Sequence, residues 1–480
     1  MLKTKRILAG VFAASFVMAA VGCGSSAGSG STSSVSEEDE LASYVDQVEV
    51  EDTDTIETLP GGEESTLDWL SYFDLNPAKG SKEKSVELDL FEKKGGKIHY
   101  SPTTSLTKFD SLATRLLAND PPDIFWFEGM CYPLYCMQER FQPIDDIVDF
   151  DSDLWSDVKD TADKYTLKGQ HYVAPVRYVA NSILTYDKDM IEAAALDDPY
   201  ELYLNGEWDW DTWYTMMDEY VKGASGDEER YGVNGWFANF IFYSTGHTLI
   251  EYDKEKDIYF SNIDDPNFDR ASTFLYNLKK NDLYYADWIG QASDCFKENI
   301  LFYAMGPWAS WDSHTPKDGS NWGNVPMPKD PQSDTSNITI EVNAYMWIKG
   351  SQKADAVKTW MECAHTAYTD PVYKEASKEK FFVKNPNWTE DMYHVAYDEY
   401  AENWNIIVDP GYGISPTLSS NDAAQNDTKE CVVSYMYTSV MKTDDAGAQY
   451  TWTQLREMFK GTIDSDLKVF NDEYKKFVES

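Results

Sequence analysis

Between residues 67 and 128 short apolar runs alternate with helical stripes, and this alternation narrows the fold class more than any other feature of the chain. Leu67-Asp68-Trp69-Leu70-Ser71-Tyr72-Phe73 reads as a strand that stops at Asp74-Leu75-Asn76-Pro77. Val86, Leu90 and Phe91 follow at helical spacing, and Gly95-Gly96 ends that helix. Lys97 to Tyr100 reads as a second strand, and Leu106, Phe109, Leu112 and Leu116 form a second helical stripe. Asn119-Asp120-Pro121-Pro122 breaks it, and Ile124-Phe125-Trp126-Phe127 is a buried strand with Glu128 at its exit. The order β-α-β-α-β predicts an α/β fold with a mainly parallel sheet covered by helices. Ligands of such sheets bind at the carboxyl ends of the strands, here Tyr72 to Asp74 and Trp126 to Glu128. Near the end of the chain, Leu467, Phe470, Tyr474 and Phe477 predict an amphipathic closing helix.

The N-terminus points to export. Lys3, Lys5 and Arg6 precede an uncharged, mostly apolar run from Ile7 to Val21. A helix needs about 20 apolar residues to cross a bilayer, so this run has the length of a signal-peptide core instead. It ends in Ala20-Val21-Gly22-Cys23, which resembles the lipobox of bacterial lipoproteins, with Ala20 where Leu is usual. The resemblance implies a signal peptide over 1–22 and a diacylglycerol on Cys23, holding the chain on the outer face of the cytoplasmic membrane. From Gly24 to Glu64 there are 12 acidic residues and no Lys or Arg, with few large apolar ones. Residues 23–64 are therefore expected to form a disordered acidic linker.

The formal net charge is −42. A surface this acidic repels nucleic acid and anionic lipid and favours a neutral or cationic solute. The chain beyond residue 64 is long enough for two domains. Aromatic residues make up 15% of the whole, with 32 Tyr and 16 Trp, a surplus that suggests ring-lined recognition surfaces besides core. Six cysteines include Cys23, so at least one of the other five is unpaired within the chain. Cys131 and Cys136 are near enough in sequence to bridge. Cys295, Cys363 and Cys431 are expected to be small buried apolar groups. No Cys-x-x-Cys pair occurs and the six His are scattered, so no metal site and no cofactor is expected. Asp149, Asp151, Asp153 and Asp157 lack the turn glycine and final Glu of a calcium loop. One of Asp209 and Asp211 is expected to cap the helix that begins near Thr212.

Six landmarks in order carry a family resemblance. They are Pro122-Asp123-Ile124, Gly169-Gln170-His171-Tyr172-Val173-Ala174-Pro175, Ile183-Leu184-Thr185-Tyr186-Asp187-Lys188, Trp208-Asp209-Trp210-Asp211, Ala304-Met305-Gly306-Pro307-Trp308-Ala309-Ser310-Trp311 and Ile348-Lys349-Gly350-Ser351. Together they resemble the family 1 extracellular solute-binding proteins of ABC importers, the group that includes maltose-binding protein. The resemblance implies a two-lobed, Venus-flytrap fold of the periplasmic-binding class II type, with discontinuous lobes and a ligand cleft between them. Lobe 1 is expected to comprise 65–177 plus 303–345, and lobe 2 178–302 plus 346–480.

A neutral sugar has apolar C–H faces that suit aromatic rings and a rim of hydroxyls that suit carboxylates, amides and Arg. The candidate contacts are Tyr72 and Asp74 after the first strand, and Trp126, Phe127 and Glu128 after the third. Resemblance adds Arg177 and Tyr178 at the first lobe crossing, Trp236 on the second lobe, Trp308 in the Gly-Pro-Trp segment and Tyr412 in Asp409-Pro410-Gly411-Tyr412-Gly413. The function implied is capture of a neutral carbohydrate, an oligosaccharide above all, by a monomeric receptor that delivers it to a membrane permease without making or breaking a bond. The alternatives are an exported glycoside hydrolase and a glycan-capturing surface protein without a transporter.

Overall fold

Thr66–Ser71 is an apolar strand with neighbours on both sides: it pairs in parallel with Lys97–Pro102 and with Ile124–Trp126. A computed structural model gives this architecture and describes residues 48–79, 83–311, 321–398, 404–415, 417, 418, 432–443 and 447–480. The segment 1–22 expected to be a signal peptide, Cys23 and Cys431 lie outside the described residues. The parallel trio is extended by two antiparallel strands, Ile340–Trp347 and Ala174–Ala180, into a five-stranded sheet. Helices Val86–Lys93 and Ala354–Thr369 cover one face, where Phe91 meets Trp360 at 5.2 Å. Helix Lys108–Leu117 covers the other, with Phe109 against Phe125 at 5.7 Å. Both faces being covered accounts for the near-continuous apolar runs of the central strands.

Strand Ala174–Ala180 passes through Asn181 and Ser182 straight into Ile183–Asp187, which belongs to a second, four-stranded sheet. There it pairs antiparallel with Trp322–Pro326 and with Ile300–Met305, and the latter runs parallel to Tyr231–Gly235. Asp209 accepts a hydrogen bond from the Thr212 amide at 2.9 Å and so caps helix Trp210–Lys222. The closing helix, Trp452–Glu479, opens with a capping box at Thr451 and buries Leu455, Ile463, Leu467, Phe470 and Tyr474.

Ile300–Met305 and Trp322–Pro326 both sit in the second sheet. Ile340–Trp347 is in the first sheet, and helix Ala354–Thr369 packs on it through Trp360 and Tyr345. The Gly306-Pro307 segment thus follows a second-sheet strand that is buried along its whole length, and is not a crossing.

Part of the segment expected to be a linker packs on the folded body. Val50, Ile56 and Leu59 are buried in the core beside the first sheet. The Leu59 amide donates to the Lys94 carbonyl at 2.7 Å, and the buried Lys94 ammonium pairs with Asp52 at 2.8 Å. Three aliphatic side chains and one buried cation are enough to hold this acidic stretch. Cys131, Cys136, Cys295 and Cys363 are free thiols, all buried; the Cys136 thiol donates to the Cys131 carbonyl instead of bridging. Among the described residues no helix is long and apolar enough to cross a membrane, and no group of His, Cys, Asp or Glu is placed to hold a metal ion.

Candidate functional site

A cavity of about 500 Å³ opens where the first sheet, the crossing strands and the second lobe meet. From the first sheet come the strand exits. Tyr72 follows Thr66–Ser71, and Trp126, Phe127 and Glu128 leave Ile124–Trp126. The Trp126 ring stands edge-on to Tyr345 at 5.2 Å and to Phe73 at 5.7 Å, which fixes its orientation. Phe127 is nearly buried against Tyr165, 4.9 Å away, so it contributes mainly an edge.

Glu128 is not a free carboxylate. Lys108, at the start of its helix, buries its ammonium 2.8 Å from Glu128 Oε2 and donates to the Ser105 carbonyl at 2.8 Å. The same ammonium lies 5.1 Å from the centre of the Tyr72 ring. The first-sheet wall therefore presents rings and a self-neutralised ion pair.

The second wall depends on a glycine. Gly235 has φ 125, and a Cβ there would lie 1.9 Å from the Ala304 carbonyl oxygen, so only glycine fits. The chain turns at this point and leaves Trp236 half-exposed over the cavity, with its ring against Phe240 at 6.0 Å. Helix Ala238–Tyr243 then brings Asn239 and Tyr243 to the lining one turn apart. The Tyr243 hydroxyl donates to Asp409 Oδ2 at 2.9 Å, and the Gly411 amide donates to Asp409 Oδ1 at 2.8 Å. Burial pushes the Asp409 carboxyl up to about 6, against these two hydrogen bonds that favour its charged form.

The turn Pro410–Gly413 carries Tyr412 and closes the cavity against the first lobe. A Cβ on Gly413 would meet the Tyr132 carbonyl oxygen at 1.7 Å, so the two lobes touch here backbone to backbone. The crossing strands supply Asn181, Thr339 and Val342. Two buried polar atoms of the lining, Asn239 Oδ1 and Thr339 Oγ1, have no hydrogen-bond partner. Such groups are costly in a closed protein and are the natural contacts of ligand hydroxyls.

Of the residues expected from the sequence, Tyr72, Trp126, Phe127, Glu128, Trp236 and Tyr412 come together in this lining. Four others lie outside it. Asp74 is exposed and folds back on its own turn, accepting from the Asn76 amide and side chain at 2.9 Å each. The Tyr178 ring packs between the two large cores, and burial pushes its hydroxyl up to about 12. Trp308 is half-exposed in the turn Pro307–Ser310, its indole folded over Gly306. Arg177 points into a different cavity.

Lys108, Asn239, Tyr243, Thr339 and Asp409 were not singled out as site residues. Asn239 carried a weak signal, three positions after Trp236. Asp409 was visible only as the start of a Pro-Gly turn, and nothing in the sequence marks Lys108 or Thr339.

The model of the family described as bacterial extracellular solute-binding protein matches residues 77–367. No match is found among curated proteins. Among solved structures, the chain is similar to an ABC substrate-binding protein from Listeria monocytogenes in complex with cycloalternan. The TM-score is 0.56 at 16% identity, covering 83% of this chain and 99% of that one. The sugar-binding protein MalE of Xanthomonas citri superposes with a TM-score of 0.57 at 15% identity, over 84% and 97% of the two chains. The galacto-N-biose/lacto-N-biose I-binding protein of an ABC transporter from Bifidobacterium longum, in complex with lacto-N-biose, gives 0.59 at 10% identity over 84% and 97%. At these identities the likeness is one of fold, a two-lobed α/β architecture.

Proposed function

The chain belongs to the bacterial extracellular solute-binding proteins, and from that premise we propose that it captures a neutral carbohydrate, most simply an oligosaccharide, in the cleft between its lobes and delivers it to an ABC permease. The observation that carries this reading is the cleft lining. Rings of Tyr72, Trp126, Trp236 and Tyr412 share the lining with Asn239 and Thr339, whose buried Oδ1 and Oγ1 have no hydrogen-bond partner. A saccharide offers both complements, C–H faces for the rings and hydroxyls for the orphaned atoms.

Charge supports a neutral ligand. The one lysine of the lining, Lys108, is cancelled by Glu128, and the remaining carboxyl, Asp409, already accepts from the Tyr243 hydroxyl and the Gly411 amide. A carboxylate or phosphate on the ligand would find no unpaired cation there. Two solved structures of the same fold are complexes with cycloalternan and with lacto-N-biose, which agrees with this choice.

In this reading the lobes follow strand pairing, with 48–180 and 340–384 forming the first and 183–326 with 390–480 the second. Hinge closure about Asn181 and the return strand brings Trp236 onto a ligand resting on Trp126 and beside Tyr412. The receptor acts as a monomer. A lipid on Cys23 confines it to the outer face of the membrane, where repeated encounters with the permease need no diffusion through the medium.

A melting-temperature screen against neutral mono- and oligosaccharides tests the reading. One or a few saccharides raise the melting temperature in a concentration-dependent way. A panel with no shift contradicts it. Release of reducing sugar from any member of the panel replaces it with the glycoside hydrolase alternative.

A further inference from the structure

Arg177 stands on strand Ala174–Ala180, and its neighbour Tyr178 pairs with Val342, a residue of the cleft lining. Successive side chains of a strand point to opposite faces. Arg177 therefore projects to the reverse of the sheet, into a second cavity of about 460 Å³. Its guanidinium lies between the rings of Tyr368 and Tyr397, 4.5 and 4.1 Å from their centres. It donates one long hydrogen bond, 3.4 Å, to the Tyr393 hydroxyl. Among the described residues no carboxylate lies within ion-pair distance of it. A guanidinium carries five N–H donors in a fork shaped for a carboxylate or phosphate. Ring faces partly compensate its charge but satisfy few of those donors.

The surroundings add positive charge. Lys84, Lys380 and Lys384 line the same cavity, and Glu87 is the single carboxylate there. Lys380 is buried and donates to the Lys84 carbonyl at 2.7 Å. Lys384 is half-exposed at the rim and pairs with Glu83. Helix Val86–Lys93 begins at the cavity wall without a side-chain cap from Ser85. Lys84 is paired with Glu92 and Lys384 with Glu83, so the charge of the lining centres on Arg177 and the buried Lys380 beside Glu87. The opposite wall is apolar, formed by Phe381 and Trp311.

We propose that this rear cavity is a second ligand site, for a small organic anion whose carboxylate or phosphate pairs with Arg177 while its body rests on Phe381 and Trp311. The site stands independently of what the cleft binds. Its walls come from helices Val86–Lys93 and Pro371–Lys384 on one side and from helix Glu390–Tyr397 and Trp311 on the other, so an occupant touches both lobes.

Calorimetric titration of the whole chain with galacturonate and with glucose 6-phosphate tests the proposal, with glucose and inorganic phosphate as controls. Saturable binding of one or both organic anions is expected, and which of the two binds tells carboxylate from phosphate recognition. Arg177→Lys keeps the charge but loses the fork, and weakens binding about tenfold or more. Lys384→Gln, at the rim, weakens it less and serves where the Arg177 variant folds poorly. Trp236→Ala, in the cleft, leaves it unchanged. The proposal is overturned if neither organic anion binds up to about 10 mM. It is equally overturned if inorganic phosphate binds as tightly as glucose 6-phosphate, if both rear-cavity variants bind like the parent, or if Trp236→Ala abolishes binding.

Discussion

The cleft and the rear cavity are almost equal in size, about 500 and 460 Å³, and both are walled by aromatic rings. They lie on opposite faces of the same crossing strands. What separates them is the way charge is handled. In the cleft the cation of Lys108 meets Glu128 at 2.8 Å, and Asp409 is held by the Tyr243 hydroxyl and the Gly411 amide. In the rear cavity Arg177 makes no ion pair among the described residues; it meets two rings and one hydroxyl, with Glu87 acting on it from a greater distance. Similar space and similar rings thus suit different ligands, because specificity for charge resides in whether each buried ion already has its partner.

The largest way to break this contrast is to strand a charge in the cleft. Lys108→Met leaves Glu128 nearly buried without its counter-ion and is expected to cost about 3–5 kcal/mol, read from urea unfolding. Adding Glu128→Gln to that variant restores much of the loss. If the double variant is no better than the single one, the ion pair does not organise this wall.

Asp409 gives the next effect, through pH. Its folded carboxyl titrates near 6, above the ordinary value of 3.8. Between these limits the folded chain binds more protons than the unfolded one, so this group's contribution falls as pH rises from about 4 to about 6 and is level above. The cost above pH 6 is of the order of 3 kcal/mol. Asp409→Asn is expected to remove that slope and to gain stability relative to the parent at pH 7.5 but not at pH 4. Urea midpoints of both proteins at the two pH values check it; equal differences at both would show that Asp409 is not held toward neutrality.

Trp236→Ala sharpens the comparison without touching the core, since the ring is 44% exposed. Affinity for a neutral saccharide is expected to fall about tenfold, or about 1.4 kcal/mol, with little change in unfolding. The smallest effect belongs to the mirror of the first experiment. Arg177→Met removes a cation that has no counter-ion, so lost stacking is offset by relieved desolvation and the change in stability stays within about 1 kcal/mol. A loss matching that of Lys108→Met would erase the distinction drawn between the two cavities.

Much of this was legible in the sequence, for physical reasons that can be named. The parallel core of the first lobe showed itself because buried strands need unbroken apolar runs and helices need a stripe, as at Ile124-Phe125-Trp126 and at Phe109 with Leu112. Residues at strand exits, Tyr72, Trp126, Phe127 and Glu128, followed from that pattern alone. Partners supplied by distant segments did not. Thr339 and Asp409 reach the cleft only once the return strand and the Pro410–Gly413 turn are in place. Arg177 lies on the crossing strand and lines the rear cavity, a direction the sequence does not show, because the phase of a strand's alternation is set by packing that its own seven residues do not reveal. Acidity hid the clasp of Val50, Ile56 and Leu59, whose burial depends on a groove beside Lys94 that forms 40 residues later.

The central claim is that the cleft, and not the rear cavity, holds a neutral saccharide. Isothermal titration of the best saccharide from the melting screen, into the parent and into Trp126→Ala, Trp236→Ala and Arg177→Lys side by side, tests it most directly. One saccharide per chain is expected, with binding weakened about tenfold or more by either cleft substitution and unchanged by Arg177→Lys. Binding that survives both tryptophan substitutions, or that Arg177→Lys removes, would contradict it.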